Sequence, residues 1–224
     1  MLLALDTVFP HCSVSLFDGK QLLASSTVAG NRGQTELILP MLDELLRRTA
    51  VGWGDICALG FNCGPGAFSG IRINTAVVQA LSFAHELPCV PISSLHSLAA
   101  FAVRTNNISE GSTITAVIDA RQHEVYACQY RWQAGKLHKL QEEQLLAYGA
   151  VIDSDYVIGD GATLVSGARM SLAGVPTSED IAYLAYPRYI AQEGVSADKA
   201  LPVYLRHNAW KTLAEQQAAR QQGR

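Results

Sequence analysis

One order of elements occurs twice in this chain. Residues 2–5 form a short apolar run ending at Asp6-Thr7, residues 12–17 read as a second strand, and Asp18-Gly19 turns the chain into a third over 21–28. Asp-Gly between two apolar runs is a strong hairpin signal. Residues 113–118 start again as an apolar, β-branched strand ending at Asp119-Ala120; 125–132 is the next strand, Ala134-Gly135 the turn, and a third strand begins at Leu137. This period is too long for a solenoid unit and predicts two related α/β domains. The polar, turn-rich stretch 104–111 divides them. Residues 1–105 are expected as an N-terminal lobe carrying partner-binding helices and 106–210 as a C-terminal lobe. Residues 211–224, rich in Gln, Ala and Arg, are expected as a frayed helix or tail.

Within the first lobe, residues 64–73 (GPGAFSGIRI) join an apolar strand at 57–61 to an apolar pattern of helical period through Leu87. Glycine serves where a chain turns sharply or another group approaches the backbone closely. A helix N-terminus also offers unpaired N–H groups to an anion or a cap. Ser69 is the expected cap, with Arg72 on the polar side of the first turn. A Walker A loop would need Lys then Ser/Thr after its last glycine, and Ile71-Arg72 stands there instead; the G-x-G-x-x-G spacing is absent too. On the residues alone a tight turn packing the helix on the sheet is favoured over a phosphate cradle. Further helices are expected over 34–48, with Pro40 inside, and from a Ser178 cap towards Gly194.

Composition narrows the class. The 224 residues are 49% hydrophobic and 17% charged, as in an ordinary soluble globular protein. A net charge of −3 argues against a protein that grips nucleic acid unaided. Five cysteines lie mostly in apolar runs without C-x-x-C spacing, which fits buried free thiols in a reducing compartment. The six histidines show no ligand spacing, so no metal site is expected. Residues 1–6 lack a basic region and reach an acid early, and no apolar stretch is long enough to span a bilayer. The expected location is the cytoplasm, away from membranes.

A strand ending in Asp before a hairpin suits a nucleotide site: the carboxylate can hold a magnesium-bound water while hairpin N–H groups meet phosphate oxygens. Two such hairpins facing across a cleft resemble the ASKHA architecture of actin, sugar kinases and heat-shock ATPases. Asp6, Thr7 and Asp119 stand where the phosphate hairpins would begin. Asp160, between two glycines after a strand at 156–158, resembles the nucleoside cradle. Both loops, residues 7–11 and 120–124, lack glycine, and Pro10 removes a donor. The site reads as degenerate, and the Asp residues could simply cap strand ends.

LALDT at 3–7, GPGAFSGIRI at 64–73, VIDARQHEVY at 117–126 and PVYLR at 202–206 together resemble the TsaB (formerly YeaZ) family over nearly the whole chain. The family pattern GPGSFTGLRIG is met with Ala67, Ser69, Ile71 and Asn74 at the variable steps. Asn74, where glycine is usual, suggests a different helix packing. Gln34 stands where many members keep a histidine. The resemblance implies a two-lobed ASKHA fold and a non-catalytic paralogue of TsaD, the threonylcarbamoyl transferase. Such a subunit is required for threonylcarbamoyl formation on adenosine next to the anticodon of tRNAs reading ANN codons. The implied partners are TsaD as a heterodimer, TsaE in a larger complex, TsaC through a functional link, and a second copy when the chain is alone. Contact with tRNA would be indirect, and no cofactor or metal is implied.

Leu37, Ile38, Leu39, Met41, Leu42, Leu45 and Leu46 spread over roughly 200° of the first helix, twice the stripe of about 100° that packing on a sheet needs. Ile73, Ala76, Val77, Ala80, Leu81, Phe83, Ala84 and Leu87 cover about 160° of the second. The surplus fits either deeper burial or a second contact. The resemblance implies the contact: Leu37, Ile38, Met41, Leu42 and Leu45 with Arg72, Ala76, Ala80 and Phe83 would meet TsaD. The competing reading is an ASKHA phosphotransferase or a peptidase acting alone.

Overall fold

The computed structural model describes residues 1–30 and 32–206. The first sheet opens with β1 (Leu2–Asp6), β2 (His11–Phe17) and β3 (Leu22–Ala29), an antiparallel meander. Helix α1 (Gln34–Thr49) then leads to β4 (Ala58–Gly64), and α2 (Phe68–His85) to β5 (Cys89–Ser93). Both later strands run parallel to their neighbours, which gives the order β3-β2-β1-β4-β5. After α3 (Ser94–Thr105) the second sheet repeats the plan. It contains β6 (Thr113–Arg121), β7 (Glu124–Gln133), β8 (Lys136–Lys139), β9 (Gln144–Ala147), β10 (Val151–Ile158) and β11 (Ser166–Leu172). Its order is β11-β10-β6-β7-β8, with β9 on β7, so β6, β7, β8, β10 and β11 stand where β1, β2, β3, β4 and β5 stand in the first. The α/β fold with two related mixed sheets read from the sequence is the fold observed.

Alternation along a strand sends successive side chains to opposite faces. Leu3 and Leu5 of β1 meet Ile38, Leu42 and Leu45 of α1 and Val78 of α2 on one face. Leu2 and Ala4 meet Ile181, Ala182 and Ala185 on the other. Those last residues belong to α4 (Ser178–Ile190), which comes after the second sheet yet covers the first. In return α3, which follows the first sheet, lays Leu95, Leu98 and Ala102 on Ile114, Ala116 and Tyr130 of the second. The two lobes therefore exchange helices. Thr177 caps α4 in a capping box with Asp180, one residue before the expected Ser178. Ser178 instead anchors the helix on β2, its N–H donating to Ser13 Oγ at 2.8 Å. The tail expected at 211–224 lies outside the described residues.

Candidate functional site

The lobes face each other across a cleft of about 1040 Å³. Thr7, Asp119 and Asp160 line it. Asp6 lies beneath it, fully buried at the end of β1. Its Oδ1 accepts from the Val8 N–H at 2.8 Å and the Asn62 side-chain amide at 3.3 Å, and its Oδ2 stands 3.6 Å from His11 Nε2. The Thr7 hydroxyl donates to the Gly70 carbonyl at 2.8 Å. A Cβ on Gly70 would lie 2.2 Å from the Thr7 carbonyl oxygen, so this glycine is required by the close approach of helix and loop. The packing role of the junction glycines has a direct cause here.

Helix α2 starts two residues earlier than expected. Ala67, at φ −59 and ψ 120, is the capping residue and makes no side-chain cap bond, while Ser69 lies inside the first turn. The two departures from the family pattern each have a place. Gln34, buried at the start of α1, donates through Nε2 to the His11 carbonyl at 2.9 Å and to the Phe9 carbonyl at 3.4 Å. It braces the first hairpin loop from below. Asn74, fully buried in α2, donates to the carbonyls of Leu5 at 3.2 Å and Asn62 at 2.9 Å. It ties the ends of β1 and β4 to the helix that covers them.

The second wall is the β6–β7 hairpin. Gln122 and His123 at its tip have φ of 55° and 61°, and Arg121 before them 61°, a left-handed run without glycine. Such positions cost non-glycine residues about 1 kcal/mol or more each. Asp119 Oδ1 accepts from the Arg121 N–H at 2.8 Å and from the Tyr148 hydroxyl at 2.7 Å, and Asp160 Oδ1 accepts from the Asp119 N–H at 2.9 Å. The Tyr148 hydrogen bond, with the Arg121 N–H and guanidinium, holds the Asp119 carboxyl below its usual range. The same bond raises the Tyr148 phenol. Thus Val8 and Arg121, whose N–H groups a phosphate hairpin would present, donate instead to the carboxylates of their own strands. Tyr148 carried no sequence signal, because its partner lies 29 positions away.

The residues expected to meet a partner divide. Ile38, Met41, Leu42 and Leu45 are buried in the lobe's own core, Leu45 to 1% exposure. For these four the wide apolar arc of α1 reflects deep burial, because the helix lies on β2 and β3 and its inner side chains join the cluster of Leu3, Leu5 and Phe61. Leu37 is half-buried, while Arg72, Ala76 and Ala80 are exposed and Phe83 is 84% exposed. Leu39 of α1 adds a further apolar side chain at 49% exposure. Arg72 lies over the Phe68 ring, 3.6 Å from its centroid, at the rim of the cleft.

All five thiols are free, four of them buried and Cys57 partly so. Among the described residues no helix is long and apolar enough to cross a membrane.

A sequence model of the TsaD family, described as tRNA N6-adenosine threonylcarbamoyltransferase, matches residues 27–198. The tRNA threonylcarbamoyladenosine biosynthesis protein TsaB of Haemophilus influenzae is 32% identical over 95% of this chain and 96% of its own length. TsaB of Escherichia coli K12 is likewise 32% identical, over 95% of this chain and 97% of its own. The solved structure of YeaZ from Pseudomonas aeruginosa matches with a TM-score of 0.81 at 34% identity, covering 91% of this chain and 99% of that one. With relatives matched nearly end to end and a shared fold, this chain belongs to the TsaD-type family, among its TsaB members.

Proposed function

We propose that this chain is the non-catalytic subunit that docks on a TsaD-type transferase during formation of threonylcarbamoyladenosine on tRNA. The observation that carries the reading is the apolar stripe of α2, where Ala76, Ala80 and Phe83, at i, i+4 and i+7, are exposed among the described residues, as is Leu39 of α1. Burial of such a patch is favourable at about 25 cal/mol per Å². An exposed aromatic anchor flanked by small side chains suits a helix-face contact. The family match supplies the occupant, a TsaD relative. A second copy of this chain would use the same face when the partner is absent. TsaE would join the larger complex, TsaC would supply the adenylate, and tRNA would be met through the partner.

The cleft supports a role without chemistry of its own. A phosphotransferase needs free phosphate-binding donors and a general base. Here Asp6 is buried under its loop, and Asp119 is engaged by Tyr148 and Arg121. The test is reconstitution of the modification with TsaC, TsaD, TsaE and tRNA, with this chain present or omitted. Loss of threonylcarbamoyl incorporation on omission is expected, and unchanged incorporation would overturn the role. Calorimetry of the chain alone with magnesium–ATP is expected to show no heat, whereas micromolar binding would restore the enzyme reading.

A further inference from the structure

Residues 201–206, which include the PVYLR run, lie across the mouth of the cleft and contribute Val203, Tyr204 and Arg206 to its lining. The segment is fastened first to the N-terminal lobe. The Gln79 side-chain amide donates to the Ala200 carbonyl at 3.0 Å, and the Val203 N–H donates to the Cys63 carbonyl at 2.8 Å. It passes directly over Gly64 (φ 96°), where a Cβ would stand 3.2 Å from the Val203 carbonyl oxygen. The Tyr204 hydroxyl then accepts from Arg72 Nε at 3.2 Å.

Two residues later the chain reaches the other lobe. Arg206 Nη2 donates to the carbonyls of Ala120 at 3.3 Å and Arg121 at 3.2 Å and to Glu124 Oε2 at 2.5 Å. These acceptors belong to the hairpin whose tip runs left-handed, and the strand register shifts between Asp119 and Arg121. The Arg206 side chain is 16% exposed, so its charge is largely withdrawn from water and depends on these acceptors. A single short segment therefore bonds to both walls of the cleft and fills part of the space between them.

We infer that residues 201–206 are an intramolecular clasp, anchored on the N-terminal lobe at Val203 and latched to the second hairpin by Arg206, which holds the lobes together. Release of the latch opens the cleft. Any group entering from this side must displace the chain's own Tyr204 and Arg206. The clasp touches α2 through Arg72 and Gln79 but uses none of the apolar stripe Ala76, Ala80 and Phe83, and its test needs no docking partner.

The test is a distance measurement across the mouth in the full chain. Nitroxides are placed at Ser69→Cys and Gln122→Cys, both exposed, with Cys57→Ser removing the partly exposed native thiol. Pulsed electron resonance on this parent is expected to give one narrow distance distribution. Arg206→Gln and Glu124→Gln are each expected to lengthen and broaden it, with far-UV dichroism unchanged. Distributions that superpose on the parent in both folded variants would overturn the clasp. Were Arg206→Gln to unfold, the milder Glu124→Gln would decide alone, in the same two directions.

Discussion

Arg104 of α3 holds Asp180 of α4 through two parallel hydrogen bonds, Nε to Oδ1 at 2.9 Å and Nη2 to Oδ2 at 3.1 Å. The pair joins the two helices that the lobes exchange. Asp180 is 1% exposed and also accepts from the Thr177 N–H at 3.0 Å, so one carboxylate closes the cap of α4 and receives the guanidinium. Burial pushes its pKa above the usual carboxylate value, and Arg104 pulls it back.

Arg104→Ala is expected to cost about 3–5 kcal/mol at neutral pH, because a buried carboxylate loses its partner. The sign of the pH dependence follows from the raised pKa. Just above the ordinary carboxylate value the folded state binds more protons than the unfolded one, so this group's contribution is full in acid and declines as pH rises through its folded pKa. Removing Arg104 raises that pKa further and widens the window. Urea unfolding of parent and variant at about pH 5 and about pH 7.5 should show a smaller deficit in acid. An equal deficit at both would refute the account.

His96 gives the opposite slope. Burial, with Arg188 and Lys139 nearby, pushes it from 6.5 down to about 4, and its ring stacks on Tyr130 at 5.2 Å between centroids. The unfolded state therefore takes up the proton first. Stability from this group is complete above 6.5 and is lost as pH falls towards 4. His96→Phe, which keeps the aromatic stack, should flatten the fall in stability over that interval. A variant with the parent's acid slope would assign the fall to other groups.

Phe83→Glu and Leu45→Glu separate docking from folding. Phe83 is 84% exposed, so its replacement should shift stability by no more than about 0.5 kcal/mol. Copurification with the TsaD-type partner should weaken at least tenfold, or about 1.4 kcal/mol. Leu45 is 1% exposed in the core under β1 and β2. Truncating such a leucine alone costs about 2–5 kcal/mol, and a buried charge adds to that, so Leu45→Glu should not fold. Full partner binding by folded Phe83→Glu would remove the stripe from the interface.

Asn74→Gly, which restores the residue usual in the family pattern, should destabilise this chain by about 2–4 kcal/mol. The substitution strips donors from the Leu5 and Asn62 carbonyls and places glycine in a helix interior. Chemical denaturation reads the difference. Equal stability would mean that the helix settles closer to the strands and replaces both bonds.

Much of this was legible in the order of residues. The Asp-ended strands and glycine turns announced two copies of one sheet, because alternation and turn chemistry are local signals. The junction at 64–73 declared a strand entering a helix. What contacts the helices make was not local. The apolar arc on α1 is the same whether a second layer is the chain's own sheet or a partner, and only the fold shows that Ile38, Met41, Leu42 and Leu45 go inside. The segment 89–105 holds both β5 and α3, and the serine that divides them, Ser93 capping α3, is too common a residue to mark the passage by itself. Arg206 and Glu124 lie 82 positions apart, and no spacing rule links them.

The swapped helices carry a consequence for biosynthesis. A nascent chain emerging through residue 105 exposes Leu2, Ala4, Ala58, Val90 and Ile92 on a bare sheet, because their cover, Ile181, Ala182 and Ala185, has not yet been translated. Early strands must wait for a helix made near the end of synthesis, and during that delay the growing polypeptide presents an adhesive surface for chaperones to shield.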